Sequence, residues 1–205
     1  MQVWRIVARF AQVSTLFGLS TVPAAADVIV VAQDGSGDFT QINQAVASSA
    51  DGDVLLVETG SYAPFVVPDI ALQIVADESA VVTVNGYCAV TGLAAGKTVL
   101  LSGLTARAQT AVHYGLYLFD NEGAVRVRDC AFFGFEPAEQ DCMDFQQLDP
   151  GGDAVFVNDC DDLALADCTI TGGDGTDSTE YWCLDNGGWG GHGVYAANSR
   201  LTLHD

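Results

Sequence analysis

Positive charge is scarce in this chain of 205 residues: seven Lys and Arg stand against 27 Asp and Glu, for a formal net charge of −20. Two of the seven, Arg5 and Arg9, fall in the first 26 residues, so the rest keeps only Lys97, Arg107, Arg126, Arg128 and Arg200. Nucleic acid and anionic lipid are bound by neutralising phosphates with Lys and Arg, so both are excluded as partners. A polyanionic sugar is repelled too, unless metal ions intervene. Glutamate is also rare, at six residues against 21 aspartates. Asp favours turns and oxygen-ligated cations where Glu favours helices, which places the charge in loops, for solubility or for Ca²⁺. No Cys-x-x-Cys pair occurs, and His113, His192 and His204 have no ligand spacing, which argues against zinc.

What is present begins with a leader-like segment. Arg5 and Arg9 precede an apolar stretch around Val13–Leu19, and Pro23-Ala24-Ala25-Ala26 leads to Asp27, the layout of a cleavable secretory signal over residues 1–26. The uncharged run from Phe10 to Ala26 contains Ser, Thr and Pro and is short for a span of ~20 residues, so no membrane span is expected after cleavage. A secreted, periplasmic or cell-surface location follows, in which the six cysteines are free to form disulfides.

Residues 27–205 are expected to form one domain. Gly and Asp punctuate short apolar runs at Val28–Ala32, Val54–Val57, Phe65–Val67, Leu72–Val75, Val81–Val84 and Val99–Leu101. One stretch reads as a helix: Asp38 is placed to cap it with Gln41 three residues on, and Phe39, Ile42, Ala45 and Val46 make an apolar stripe that ends before Gly52.

An internal repeat dominates the rest. Gly115-Leu116-Tyr117-Leu118, Ala154-Val155-Phe156-Val157 and Gly193-Val194-Tyr195-Ala196 recur at a step of 39. A second strand follows each, ending at Asp129, Asp167 and Asp205, a spacing of 38. Apolar residues alternate and continue past the turn, as Val125, Val127, Cys130, Phe132 and as Leu163, Leu165, Cys168, Ile170. One face of each strand is thus inward, and no single repeat can bury it alone. Stacked coils solve that problem, whereas the competing antiparallel sandwich does not predict a constant step. The expected fold is an all-β, right-handed parallel β-helix with a short N-terminal capping helix. Because the chain ends in mid-repeat, further C-terminal coils and a cap are expected beyond it.

Val30-Val31-Ala32-Gln33-Asp34-Gly35-Ser36-Gly37-Asp38-Phe39-Thr40-Gln41-Ile42, then Ala45-Val46 and Gly52-Asp53-Val54-Leu55-Leu56-Val57-Glu58-Thr59-Gly60-Ser61-Tyr62, resembles the opening of pectin methylesterases and of pectin lyase-like β-helix proteins generally. With the later repeats the resemblance runs from Val28 to Asp205, and it implies the fold more than any one chemistry. The paired catalytic aspartate motifs of the methylesterases are missing; Asp144-Phe145-Gln146-Gln147 is a poor substitute. Gly191-His192-Gly193 matches the Gly-His-Gly of polygalacturonases without that family's carboxylate cluster. Pectate lyases, which are similar in fold, use Ca²⁺ with a basic residue, a role for which Arg126 and Arg128 are the candidates. Gly172–Glu180 resembles the calcium-binding nonapeptide of RTX repeats in a single copy.

The long insertions Phe135–Asp153 and Asp174–His192 sit at the same place in successive repeats and should protrude side by side. Phe145, Tyr181, Trp182 and Trp189 are candidates to stack on sugars, or else pack the loops down. Asp149, Asp153, Asp174 and Asp177 are candidate calcium ligands. Asp144, Asp177, His192, Arg126 and Arg128 are the candidate catalytic groups. Cys142 and Cys183, one in each loop, are the preferred disulfide; Cys130 and Cys168 form either a thiol ladder or a second bridge. The expected function is non-catalytic binding of polysaccharide, calcium or both through loops 135–153 and 174–192, or a structural role. A lyase or hydrolase acting on acidic polysaccharide is the alternative.

Overall fold

The computed structural model describes residues 26–110, 114–137, 150–175 and 189–204. The chain runs through β1 (Val28–Val31), α1 (Ile42–Ser48), β2 (Val54–Val57), β3 (Gly60–Tyr62), β4 (Phe65–Val67) and β5 (Leu72–Ala76). It continues with β6 (Val82–Asn85), β7 (Cys88–Thr91), β8 (Thr98–Ser102), β9 (Leu104–Arg107) and β10 (Leu116–Arg128). The last elements are β11 (Ala131–Phe133), β12 (Val155–Ala166), β13 (Thr169–Thr171), β14 (Val194–Ala197) and β15 (Leu201–His204). The fold is all-β with one short helix, and every pairing between these strands is parallel, which removes the antiparallel sandwich.

Ten strands form one sheet along the path β1-β2-β5-β8-β10-β12-β14, with β15 on β12 and β4 on β7; five form a second in the order β13-β11-β9-β6-β3. The long strand β10 joins two rows of partners: its first part pairs with β7 and its last part with β8. The register carries like residues onto like. Leu55, Ile74, Leu101, Val127, Leu165 and Leu203 follow one another across the sheet. Phe65, Cys88, Leu116, Val155 and Val194 make a second apolar file, and Tyr62, Val84, Ala106, Phe132 and Ile170 a third. All three files run into a single core and are buried apart from Ile170, Val194 and Leu203 at the far end. The inward alternation read from Val125 to Phe132 is therefore correct, while Cys168 and Ile170 are half-buried.

Two kinds of chain reversal recur at matched register. After the aligned residues Ser102, Arg128 and Ala166 come Gly103, Asp129 and Asp167, with φ of 75°, 54° and 52°. After Thr91, Phe119, Asn158 and Ala197 come Gly92, Asp120, Asp159 and Asn198, with φ of 65°, 57°, 53° and 48°. The left-handed region is open to glycine and, among other residues, mainly to Asn and Asp. A Cβ on Gly103 would lie 2.7 Å from the Cβ of Ala76, so glycine is also required there by space. At Asp120, Asp129, Asp159 and Asp167 the choice of Asp over Glu is thus a backbone requirement, distinct from calcium and from solubility.

The helix starts later than Asp38 suggests. Gln41 precedes it in an extended conformation with no side-chain cap. The backbone N–H of Asp38 donates to Val30 O (2.8 Å), and Asp38 Oδ2 accepts from the N–H of Val30 (2.9 Å). Committed to β1 in this way, Asp38 is not available to cap. Ile42, Ala45 and Val46 are buried, and α1 lies against β1, β2 and β4.

Asp53, only 5% exposed, takes the N–H of Asp27 on Oδ1 (2.9 Å) and that of Ala50 on Oδ2 (2.8 Å). These bonds, Ala50 first, hold its carboxyl below the ordinary value of 3.8. A depressed folded value stabilises the fold above the ordinary aspartate range, and that stability is lost as pH falls through it. Acid unfolding followed by circular dichroism should therefore show a shallower loss in Asp53→Asn, from a lower starting stability. At the reversals, Asp129→Ala and Asp167→Ala should each cost about 1 kcal/mol, and the Gly substitutions distinctly less, in denaturant titrations.

Candidate functional site

The outer surface of β10, β12 and β14 carries a row of aromatic rings. Tyr117, Phe156 and Tyr195 occupy one register across the three strands. Their outward direction follows from the alternation that buries Leu116, Leu118, Val155 and Val157. Tyr117 and Phe156 stack at 5.5 Å between centroids, and Phe156 and Tyr195 at 5.4 Å. Tyr114 lies on Phe156 at 4.7 Å, and Phe119 lies beside Tyr117 at 6.2 Å with the ring planes nearly parallel. Phe119 and Tyr195 are exposed and Tyr117, Phe156 and Tyr114 half-buried. Neighbouring rings stabilise one another by about 0.5–1.5 kcal/mol per pair beyond their burial.

The stems of both long insertions stand beside this row. Gly152 N–H donates to Phe135 O (2.9 Å), Gly173 N–H to Gly152 O (2.9 Å), and Gly191 N–H to Gly173 O (2.8 Å). The stems of the two insertions therefore lie side by side, joined backbone to backbone. The approach is so close that a Cβ on Gly173 would lie 1.7 Å from Phe135 O.

One polar pair ties the stems to the aromatic row. Asp153 Oδ1 accepts the backbone N–H of His192 (2.7 Å) and lies 2.9 Å from its Nδ1. The N–H of Ala154 returns a bond to His192 O (2.9 Å). The imidazole is 68% exposed and sits 6.0 Å from the Tyr195 ring at a tilt of 58°. Burial first, and then the negative charge of Asp153, push the Tyr114 hydroxyl above its ordinary value.

The candidates read from the sequence divide sharply. His192 and Asp153 are brought together, as hydrogen-bond partners. Trp189 is 84% exposed at the foot of its loop, and Asp174 is exposed. Arg126 and Arg128 face outward as expected but are engaged. Arg126 Nη2 lies 2.5 Å from Asp162 Oδ2 and holds that carboxyl below its ordinary value; Arg128 Nε lies 3.6 Å from Asp129 Oδ2. Asp144, Phe145, Asp149, Asp177, Tyr181 and Trp182 lie outside the described residues, as do Cys142 and Cys183. Cys130 and Cys168 are free thiols, so the ladder and not the bridge is found there; burial pushes the Cys130 thiol up to about 12.

The sequence reading passed over the aromatic row, although its signal was in view: Tyr117, Phe156 and Tyr195 are the third residues of the three tetrads that define the repeat. It also passed over an acidic crevice of about 350 Å³ at the other end of the molecule, lined by Asp34, Glu58, Asp77 and Glu78. Among the described residues no group of three or more His, Cys, Asp or Glu is placed to hold a metal ion, and no helix is long and apolar enough to cross a membrane. Comparison of the chain with family models, with curated proteins and with solved structures gives no match.

The glycine stems admit a direct check. Gly173→Ala forces the Phe135 and Gly173 backbones apart and should cost about 3 kcal/mol in a denaturant titration. Asp174→Ala, on the exposed next residue, should stay within about 0.5 kcal/mol of the parent.

Proposed function

We propose that this chain is a right-handed parallel β-helix that binds polysaccharide on its outward aromatic row and the two loops beside it, without chemically altering the sugar. The solenoid reading is supported by the three like-on-like files, by the reversals repeated at matched register, and by the bend of β10 between two rows of partners. Right-handedness follows from the strong preference of parallel crossovers. The leader-like segment supports a secreted, periplasmic or cell-surface setting.

The observation that carries the binding reading is the stacked row Tyr117–Phe156–Tyr195, half out of the surface and flanked by exposed Trp189 and His192. Ring edges and phenol hydroxyls in a repeating array offer the mixed apolar and hydrogen-bonding contacts that sugars need. The net charge of −20 favours a neutral or cationic glycan; a polyuronide would require bridging Ca²⁺. Calcium, as a proposal, belongs to loops 135–153 and 174–192, where Asp174 stands exposed, while Asp153 already serves His192. The commitment of Arg126 to Asp162 removes the more obvious basic group from lyase chemistry.

One observation favours the catalytic alternative: a carboxylate orienting an exposed imidazole is also how general bases are held. Incubation with pectin, polygalacturonate and neutral glycans should release neither unsaturated products nor reducing ends. Calorimetric titration should show binding of at least one neutral or amino glycan. In a Phe156→Ala, Tyr195→Ala double variant that affinity should fall at least about tenfold. Turnover would transfer the site to the enzyme class, and unchanged affinity in the double variant would remove the aromatic row from the binding surface.

A further inference from the structure

We infer that His192, Asp153 and Tyr195 form an electronegative notch that selects an amino sugar carrying a free ammonium group, an inference that rests on the glycan-binding reading of the aromatic row. Asp153 fixes the tautomer. With Oδ1 2.9 Å from Nδ1, the proton of a neutral imidazole sits on Nδ1, and Nε2 presents a lone pair. The backbone bond from His192 N–H to the same oxygen, 2.7 Å, holds the ring at this place, so Asp153 is a positioning residue. Its Oδ2 takes no hydrogen bond among the described residues and adds a second acceptor at the base of the notch. The wall opposite is the Tyr195 ring, 6.0 Å away at 58° and 43% exposed, whose π face attracts cations.

The described groups that form the notch are therefore an acceptor nitrogen, a carboxylate and the π face of a phenol ring. A sugar carboxylate is repelled there, and an N-acetyl group offers only a neutral amide. An ammonium on the sugar ring donates to Nε2 and Asp153 while the ring's C–H face rests on Tyr195. The chain's net charge acts in the same direction at long range.

The test is calorimetric titration of the full chain with short oligomers of glucosamine, N-acetylglucosamine and galacturonate, at neutral pH and raised salt to suppress diffuse attraction. The glucosamine oligomer should bind about tenfold tighter than its N-acetylated counterpart, as expected for one charge-assisted bond. His192→Ala should abolish that preference and His192→Gln, which restores an acceptor, should keep part of it, both melting as the parent does because the ring is exposed. Glu78→Gln, in the distant acidic crevice, should leave the preference intact. Equal binding of the two amino-sugar oligomers, a preference that survives His192→Ala, or one that vanishes in Glu78→Gln would overturn the inference while leaving glycan binding standing. Failure of every oligomer to bind would overturn both.

Discussion

The rest of the structure depends on lateral parallel pairing: each described strand is three to thirteen residues long and pairs with strands distant in sequence, β1 alone adding local bonds to Asp38 and Phe39. No local hairpin closes any of them. Side chains follow the register, so an apolar residue at one position demands an apolar residue at the same position in the next repeat. The buried file from Leu55 through Leu165 is the consequence, and the outer row of Tyr117, Phe156 and Tyr195 is the same rule acting on the solvent face. Core and candidate site are two sides of one register. A displacement of one residue would exchange them.

The register also accounts for some of the chain's aspartates. Reversals that recur at one place need one backbone conformation, and the left-handed residues change from Gly92 and Gly103 to Asp120, Asp129, Asp159 and Asp167 along the chain. At these four places aspartate enters the repeats through backbone geometry. Asn121 shows the same economy on the inner side of a reversal: fully enclosed, it accepts from Leu93 N–H and donates to Val90 O and Cys160 Sγ, joining three repeats with one amide.

Much of the fold could be read from the sequence because period-two burial and a constant step are both written in residue type. Val125, Val127 and Phe132 are buried as their alternation requires, and Asp129 and Asp167 mark true reversals. The strands β3, β7 and β9 were not read, since Gly60, Ser61, Thr91, Thr105 and Arg107 interrupt their apolar runs, whereas the equally short β2 and β4 are wholly apolar. The cap at Asp38 misled because an Asp three residues before a Gln satisfies a helix rule that its own pairing with Val30 overrides. Of the site, the adjacency of the insertion stems was legible. The Asp153–His192 pair stands one repeat step of 39 apart and could have been read the same way, but the two residues were assigned separately, to calcium and to catalysis. The aromatic row was legible too, since its three rings are the third residues of the repeated tetrads.

Hydrogen exchange of the full chain, with and without a saturating amino glycan, tests the central claim most directly. Ligand should slow exchange in the stems around Gly152, Gly173 and Gly191 and at Gly193–Ala197, and leave the amides around Asp34, Glu58 and Asp77 unchanged. Protection confined to the acidic crevice, or none anywhere, would contradict a glycan-binding surface on the aromatic row.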